Sequence, residues 1–164
     1  MNEIFSDVAG VAGIISSIIV LLEYRNNKNR EIRVRTEELL TDFQNNIKPV
    51  YSDLFNIDQG RPYTRGIVSI QTLAKNPTHI KIISYFEHLG LLWNKRMVDK
   101  NMIEESLYGY SVICFNLFRI YVEESRNIYR NPDYCRNWEN MVKDLNKRAL
   151  LLRSQRLSNT ISSV

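Results

Sequence analysis

The run "VAGVAGIISSIIVLL", Val8 to Leu22, limits the folds open to this chain more than any other stretch. It holds no charged residue, and its only polar side chains are Ser16 and Ser17. A helix of this composition has no polar stripe to turn toward water, and a helix apolar on every side lies deep in protein or in lipid. A chain of 164 residues rarely builds a domain thick enough to enclose such a helix all round. A cleaved secretory signal fits no better, since Met1 to Leu22 contains no Lys or Arg and carries Glu3 and Asp7. Tyr24 and a basic stretch stand where a small-residue cleavage site would be. The reading is therefore a transmembrane anchor over residues 1–24. Val8 to Leu22 alone spans only about 22 Å, short of the roughly 30 Å hydrocarbon layer. Extension from Ile4 and Phe5 to Tyr24 closes the gap.

The flanks give an orientation. Arg25, Lys28, Arg30, Arg33 and Arg35 all follow the apolar run, and basic residues near a span stay on the cytoplasmic side. The N-terminus is expected outside and everything after Tyr24 in the cytoplasm. Within the span, Ala9, Gly13 and Ser17 recur at every fourth position with Gly10 beside them. In lipid, a strip of small residues lets two helix backbones approach closely, so it is expected to drive self-association.

Residues 25–36 are polar almost all round, with Ile32 and Val34 the only sizeable apolar side chains, and they read as a basic stalk. No Gly or Pro occurs between Gly13 and Pro49, so one long helix is expected to leave the bilayer and enter the domain of residues 37–164. There Leu39, Leu40, Phe43 and Ile47 present an apolar face at helical spacing. "DQGRP", Asp58 to Pro62, is a loop signal, and Ile67 to Ala74 reads as a short helix. "NPT" predicts a helix start with Asn76 as cap and Pro77 in the first turn. Its helix directs Ile80, Ile83, Phe86 and Leu91 toward a core. "VDKN", Val98 to Asn101, is a turn before a helix over Met102–Tyr129 with Leu107, Tyr110, Val112, Phe115, Leu117, Phe118 and Tyr121. "NPD", Asn131 to Asp133, starts a last helix reaching about Leu157, whose buried side takes Trp138, Met141, Val142, Leu145 and Leu152. The fold class is all-α: one transmembrane helix continuing into a cytoplasmic antiparallel bundle of four to five helices.

The residues that carry chemistry are sparse. There is no glycine-rich phosphate loop, no H-E-x-x-H, no Cys/His cluster and no G-x-S-x-G, so neither cofactor nor metal is expected. Cys114 and Cys135 fit no paired framework and read as reduced thiols. His79 and His88 sit on different turns of one predicted helix. The pairs Glu37/Glu38, Glu104/Glu105 and Glu123/Glu124 point about 100° apart on a helix, as solvated faces do. Small helical ribonucleases of the HEPN type carry an arginine, four to six intervening residues, and then a catalytic histidine. Neither histidine here has an arginine at those distances. The nearest match is "RNIYRN", Arg126 to Asn131, with Asn131 in the place of the histidine. An amide does not titrate near neutral pH and cannot serve as general acid or base. Arg126, Asn127, Arg130 and Asn131 are thus at most a degenerate RNA site, and the chain reads as a non-enzyme. A salt-bridged helix end is the plainer role for Arg126 and Arg130. Lys143, Lys147, Arg148, Arg153 and Arg156 make the last helix basic enough to meet RNA or anionic lipid.

The stretch "YFEHLGLLWNKRMVDKNMIEESLYGYSVICFNLFRIYVEESRNIYRNPDYCRNWENMVKDL", Tyr85 to Leu145, resembles a bacterial family of small proteins with an N-terminal spanning helix and a helical cytoplasmic domain. The shared blocks, in order, are Y-F-E-x-L-G-L-L, a basic-then-acidic turn, an aromatic helix ending near E-x-x-R, and P-D-Y…W-E-x-L. Within that group it is most similar to the membrane-anchored accessory proteins of type VI-B CRISPR systems, the partners of an RNA-guided RNA nuclease. The resemblance implies a degenerate HEPN-like fold and ring-like or pore-forming homo-oligomers in the bacterial inner membrane. The implied activity strengthens antiviral defence by compromising that membrane. The expected partners are further copies of the chain, the lipid bilayer, and an RNA-guided nuclease or its RNA products. Two other readings stay open at this point, a membrane-tethered RNA-binding or RNA-cleaving domain and a passive membrane scaffold for a partner protein.

Overall fold

The computed structural model describes the backbone of residues 2–56 and 77–161 and the side chains of residues 18–52 and 78–154. Among the described residues the secondary structure is helical throughout. Helix α1, Asn2–Asp42, is unbroken over 41 residues. It passes through a π-helical turn, Phe43–Ile47, into α2, Lys48–Asn56. The widened turn falls just before Pro49. Proline has no N–H to donate, and its ring collides with the carbonyl four residues back, so the helix accommodates it by loosening the preceding turn. The Lys48 N–H bonds the Phe43 carbonyl, five residues back, and Phe43 and Ile47 are both buried.

A 3₁₀ turn, Pro77–His79, leads into α3, Ile80–Asn94. Helix α4, Lys100–Ile128, starts from Asp99, whose carboxylate accepts from the N–H groups of Asn101 and Met102. Helix α5 runs Arg136–Ile161. Asn76 and the expected elements at 58–62 and 67–74 lie outside the described residues. The last helix begins later than its sequence suggests. Asn131 and Pro132 belong to the preceding turn, where the Asn131 side chain accepts from the Asp133 N–H at 3.1 Å, and α5 starts only at Arg136.

The core forms where α3, α4, α5 and the second half of α1 meet. Trp138 is fully buried, stacks on Phe86 at 5.1 Å between ring centroids and meets Phe115 edge-on at 5.2 Å. Its indole N–H donates to the Ser111 hydroxyl at 3.1 Å, so burial leaves no polar group unpaired there. Phe43 packs edge-on against Tyr110 at 4.9 Å, and the Tyr85 hydroxyl donates to the Leu39 carbonyl at 2.9 Å. Thr36 is buried in α1; its hydroxyl donates to the Ile32 carbonyl and accepts from the Asp99 N–H at 2.8 Å. That bond ties α1 to the start of α4.

Of the expected core residues, Ile83, Phe86, Leu107, Phe118, Trp138, Met141, Val142 and Leu145 are buried, while Leu39, Leu40, Tyr110, Val112, Phe115 and Tyr121 are partly buried against them. Leu117 is buried too, Leu91 is only partly buried, and two expectations fail outright. Ile80 is 44% exposed and Leu152 46% exposed. Ile80 is the first residue of α3, and the buried stripe of that helix instead takes Ile82, Tyr85, Leu89, Leu92 and Trp93. Leu152 lies on a part of α5 that has run past the bundle.

Candidate functional site

Two regions held the sequence-predicted site residues, the projecting half of α1 and the turn between α4 and α5. Before Thr36, α1 is exposed along most of its described length. Ile18, Ile19, Val20, Leu21 and Leu22 are each 50–66% exposed, and Tyr24 is 67% exposed. Successive helix positions step by about 100°, so these five residues cover the whole circumference. The backbone at Ala9, Gly10, Gly13 and Ser17 is helical within α1, and their side chains lie outside the described residues. Among the described residues, no helix is long and apolar enough to cross a membrane. The side chains of Val8 to Ser17 lie outside the described residues.

The stalk cations divide into two groups. Arg25, Lys28 and Arg30 are exposed. Arg33 pairs with Glu37 at 3.1 Å and Arg35 with Glu31 at 2.9 Å, each across one helical turn. Exposed pairs at this spacing contribute only about 0.3–0.5 kcal/mol. They support the helix while lowering the basic charge that this part of the stalk presents.

At the α4–α5 turn, Arg126 is held by two acceptors of its own chain. Its Nε donates to the Tyr134 carbonyl at 3.0 Å and its guanidinium bonds the Glu139 carboxylate at 2.7 Å. Lys143 reaches the same carboxylate at 2.7 Å. These bonds, Lys143 first and Arg126 second, hold the Glu139 carboxyl below its usual range. Arg130 takes a left-handed conformation, φ 49°, just past the end of α4, and the Asn131 N–H returns to the Arg126 carbonyl at 3.1 Å. This six-to-one bond is a Schellman closure, with arginine where glycine is usual. Asn127, Arg130 and Asn131 are exposed. The four residues thus surround one helix end, with Arg126 clamping the turn.

Between α4 and α5 lies a groove of about 310 Å³ floored by Phe115, Val122 and Val142. Each cation on its rim faces a carboxylate: Arg119 bonds Glu123 at 2.8 Å, while Arg126 and Lys143 share Glu139. Three cations thus face two carboxylates, and the Arg126 guanidinium is turned toward Tyr134 and Glu139 of its own chain.

The remaining titratable groups are arranged for packing. Both cysteines are free thiols and buried. Burial pushes the Cys135 thiol up to about 12 and raises that of Cys114 as well, which keeps both protonated and unreactive. His79 is buried against Phe118, and His88 is exposed. Among the described residues, no group of three or more His, Cys, Asp and Glu side chains could hold a metal ion.

Sequence reasoning missed the junction of α3 with α5. Cys135, which precedes α5, has no oxygen to cap it. Glu87 of α3 supplies one instead, accepting from the Trp138 N–H at 2.9 Å, the Asn137 N–H at 3.3 Å and the Asn137 side chain at 2.7 Å. The signal was present in the spacing of Glu87 and Gly90 before "RNWEN", but pairing the two segments requires the fold.

No curated protein and no solved structure matches the chain. The pattern of a family described as a domain of unknown function, DUF4760, matches residues 8–145. The match starts within the apolar run and ends at Leu145, so it takes in the projecting part of α1 together with the bundle. The chain belongs to that family.

Proposed function

We propose that this protein is a membrane-anchored, non-enzymatic effector that self-associates in the bacterial inner membrane and acts by compromising it. In this reading residues 4–24 of α1 form a short span with the N-terminus outside and the bundle on the cytoplasmic side. Ala9, Gly10, Gly13 and Ser17 bring neighbouring anchors together. The observation that carries the reading is the exposure of Ile18 to Leu22 around the full circumference of a helix that has left the bundle. Water does not favour so continuous an apolar surface, and soluble monomers rarely present one. The sequence before them carries no charge back to Val8. The role in antiviral defence, as an accessory akin to those of type VI-B CRISPR systems with a degenerate HEPN-like bundle, rests on the resemblance over Tyr85–Leu145. Engagement of Arg126 by Tyr134 and Glu139 favours a structural arginine over an RNA-cleaving one.

The test is fractionation of the full-length protein from bacterial cells, followed by sizing in detergent and measurement of membrane potential on induction. Retention in the membrane pellet through an alkaline wash, a multimeric particle and depolarised cells are expected. Substituting Gly13→Leu is expected to reduce both the particle size and the depolarisation. A protein that remains in the high-speed supernatant without detergent, unaggregated, overturns the reading.

A further inference from the structure

The bundle is layered. Phe86 of α3 lies 6.2 Å from Phe43 of α1 and stacks on Trp138 of α5 at 5.1 Å between ring centroids. Helix α4 likewise meets α1 through Tyr110 and α5 through Phe115. Helices α1 and α5 thus flank α3 and α4 from opposite sides, and their outer faces look away from each other. Those faces differ in charge. On α1, Glu37, Glu38 and Asp42 are exposed, and no cation occurs from Thr36 to Ile47. On α5, Arg136, Lys143 and Lys147 are exposed, and steps of about 100° per residue set them within roughly 40° of one another. The acids of that helix are turned elsewhere, Glu139 to Arg126 and Asp144 to Lys100 and Trp93. Glu37 and Lys143 have partners on their own helices, Arg33 and Glu139. Among the described residues, neither Glu38 nor Lys147 forms an ion pair within its chain.

The two faces also agree in height. Thr36 of α1 bonds Asp99 just before α4, and Arg148 of α5 bonds Asn101 and Glu104 near the start of α4. Lys147 therefore stands within about one helical turn of Glu38 and Asp42. Leu150 and Leu151, 65% and 53% exposed beside Lys147, stand within about a turn of Val34, which is 46% exposed on the face of α1 that bears Glu38. We propose that these faces form the lateral interface between copies of the chain, the α5 face of one seated on the α1 face of the next. The inference rests on the anchor reading and deepens it. Copies anchored through α1 stand side by side at one height, so one side of a chain meets the opposite side of its neighbour. Lys147 then pairs with Glu38 and Asp42 of the adjoining copy, while Leu150 and Leu151 cover its Val34. Charge selects this occupant. Two α1 faces would oppose acid to acid and two α5 faces base to base, and RNA would take the α5 face and leave the α1 face bare. Exposed ion pairs add little affinity but choose the partner face. A head-to-tail contact of this kind closes into a ring when its rotation permits.

The experiment is oxidative cross-linking of the full-length protein in native membranes. Val34→Cys and Leu151→Cys are introduced singly and together; both native thiols are buried and do not compete. Only the double variant is expected to give a ladder of dimers, trimers and higher species, because each contact joins unlike positions. Adding Glu38→Lys should cut the cross-linked fraction several-fold. Adding Lys147→Glu as well should restore most of it, a rescue that misfolding does not allow. Dimers formed by either single variant as readily as by the double one assign a symmetric contact and overturn the proposal. So does a ladder that the charge reversals leave unchanged. Protein that survives an alkaline wash and sizes as a multimer, yet gives no ladder, overturns the pairing of these faces and leaves the anchor reading standing. Protein that stays in the high-speed supernatant and gives no ladder overturns both.

Discussion

Gly90 lies directly against the backbone of Asn137: a Cβ added to it would sit 2.5 Å from the Asn137 carbonyl carbon and oxygen and 2.7 Å from the Trp138 nitrogen. No rotamer change can relieve a clash with backbone, so α3 meets the start of α5 this closely only because residue 90 has no side chain. Gly90→Ala should therefore destabilise the protein by at least about 2 kcal/mol, the scale of an overpacked core. Gly109, in the middle of α4, has nothing within 4 Å of the same added atom. Gly109→Ala should stabilise by about 0.5–1 kcal/mol through helix propensity alone. Denaturant midpoints of the two variants, moving in opposite directions, check the pair; a harmless Gly90→Ala would show that the two helices can separate freely.

The same close approach lets Glu87 cap α5. Its carboxylate takes N–H groups that have no partner inside the helix, and a negative charge at a helix N-terminus is favoured by the dipole. Glu87→Ala should cost about 1–2 kcal/mol, as loss of a cap does. Glu87→Gln keeps one acceptor and should cost less. Hydrogen exchange at the Asn137 and Trp138 amides should speed up in the alanine variant before exchange elsewhere in α5 does.

Glu139 gives the α4–α5 turn a pH dependence of known sign. Hydrogen bonds from Lys143 and Arg126 lower its carboxyl, and the Lys100 and Trp93 bonds do the same for Asp144 despite the opposing effect of burial. A depressed folded-state pKa contributes stability that is complete above the unfolded carboxylate value, roughly 4.3 for Glu. The contribution is lost as pH falls through the folded value. Glu139→Gln should be less stable than the parent at neutral pH, and the gap should close below about pH 4. Urea midpoints measured from pH 3 to 7 decide it; a gap independent of pH would assign the loss to packing.

Arg96 and Arg130 occupy the left-handed position after α3 and α4, with φ of 57° and 49°. In each case the next N–H closes the six-to-one bond: Met97 to Leu92 at 2.9 Å, Asn131 to Arg126 at 3.1 Å. A side chain pays steric strain there that glycine avoids. The lost cation at the helix C-terminus and the freer unfolded chain offset part of the gain. Each of Arg96→Gly and Arg130→Gly should stabilise by about 0.5 kcal/mol, read as a raised melting temperature. A lowered one would assign these arginines a contact worth more than the strain.

The helical class was legible because it depends on local chemistry. Few breakers and apolar residues at helical period need no distant partner, and α4 starts within two residues of its expected position. The buried face of the first half of α5 was legible for the same reason; on α4 the pattern picked out Leu107, Leu117 and Phe118 but not the buried Ile103, Cys114 and Val122. Ile80 and Leu152 were misplaced because periodicity assigns a residue to a face without saying where along the helix the neighbours stop. Local pattern also shows the arginines near "RNIYRN" as cations without revealing that Glu139, thirteen residues from Arg126, already holds one of them.

What the amino-acid order determined alone was a set of helices, their hydrophobic faces and one uncharged apolar run at the N-terminus, since each follows from residues within a few turns of one another. The tertiary structure decided which polar groups are used up inside the molecule: Glu87 on α5, Arg126 on Glu139, Thr36 on Asp99. It also decided which apolar surface is left uncovered, at Ile18–Leu22 and at Leu150–Leu152. Partnership and exposure depend on segments far apart in the chain, and only packing brings those segments together or leaves them bare.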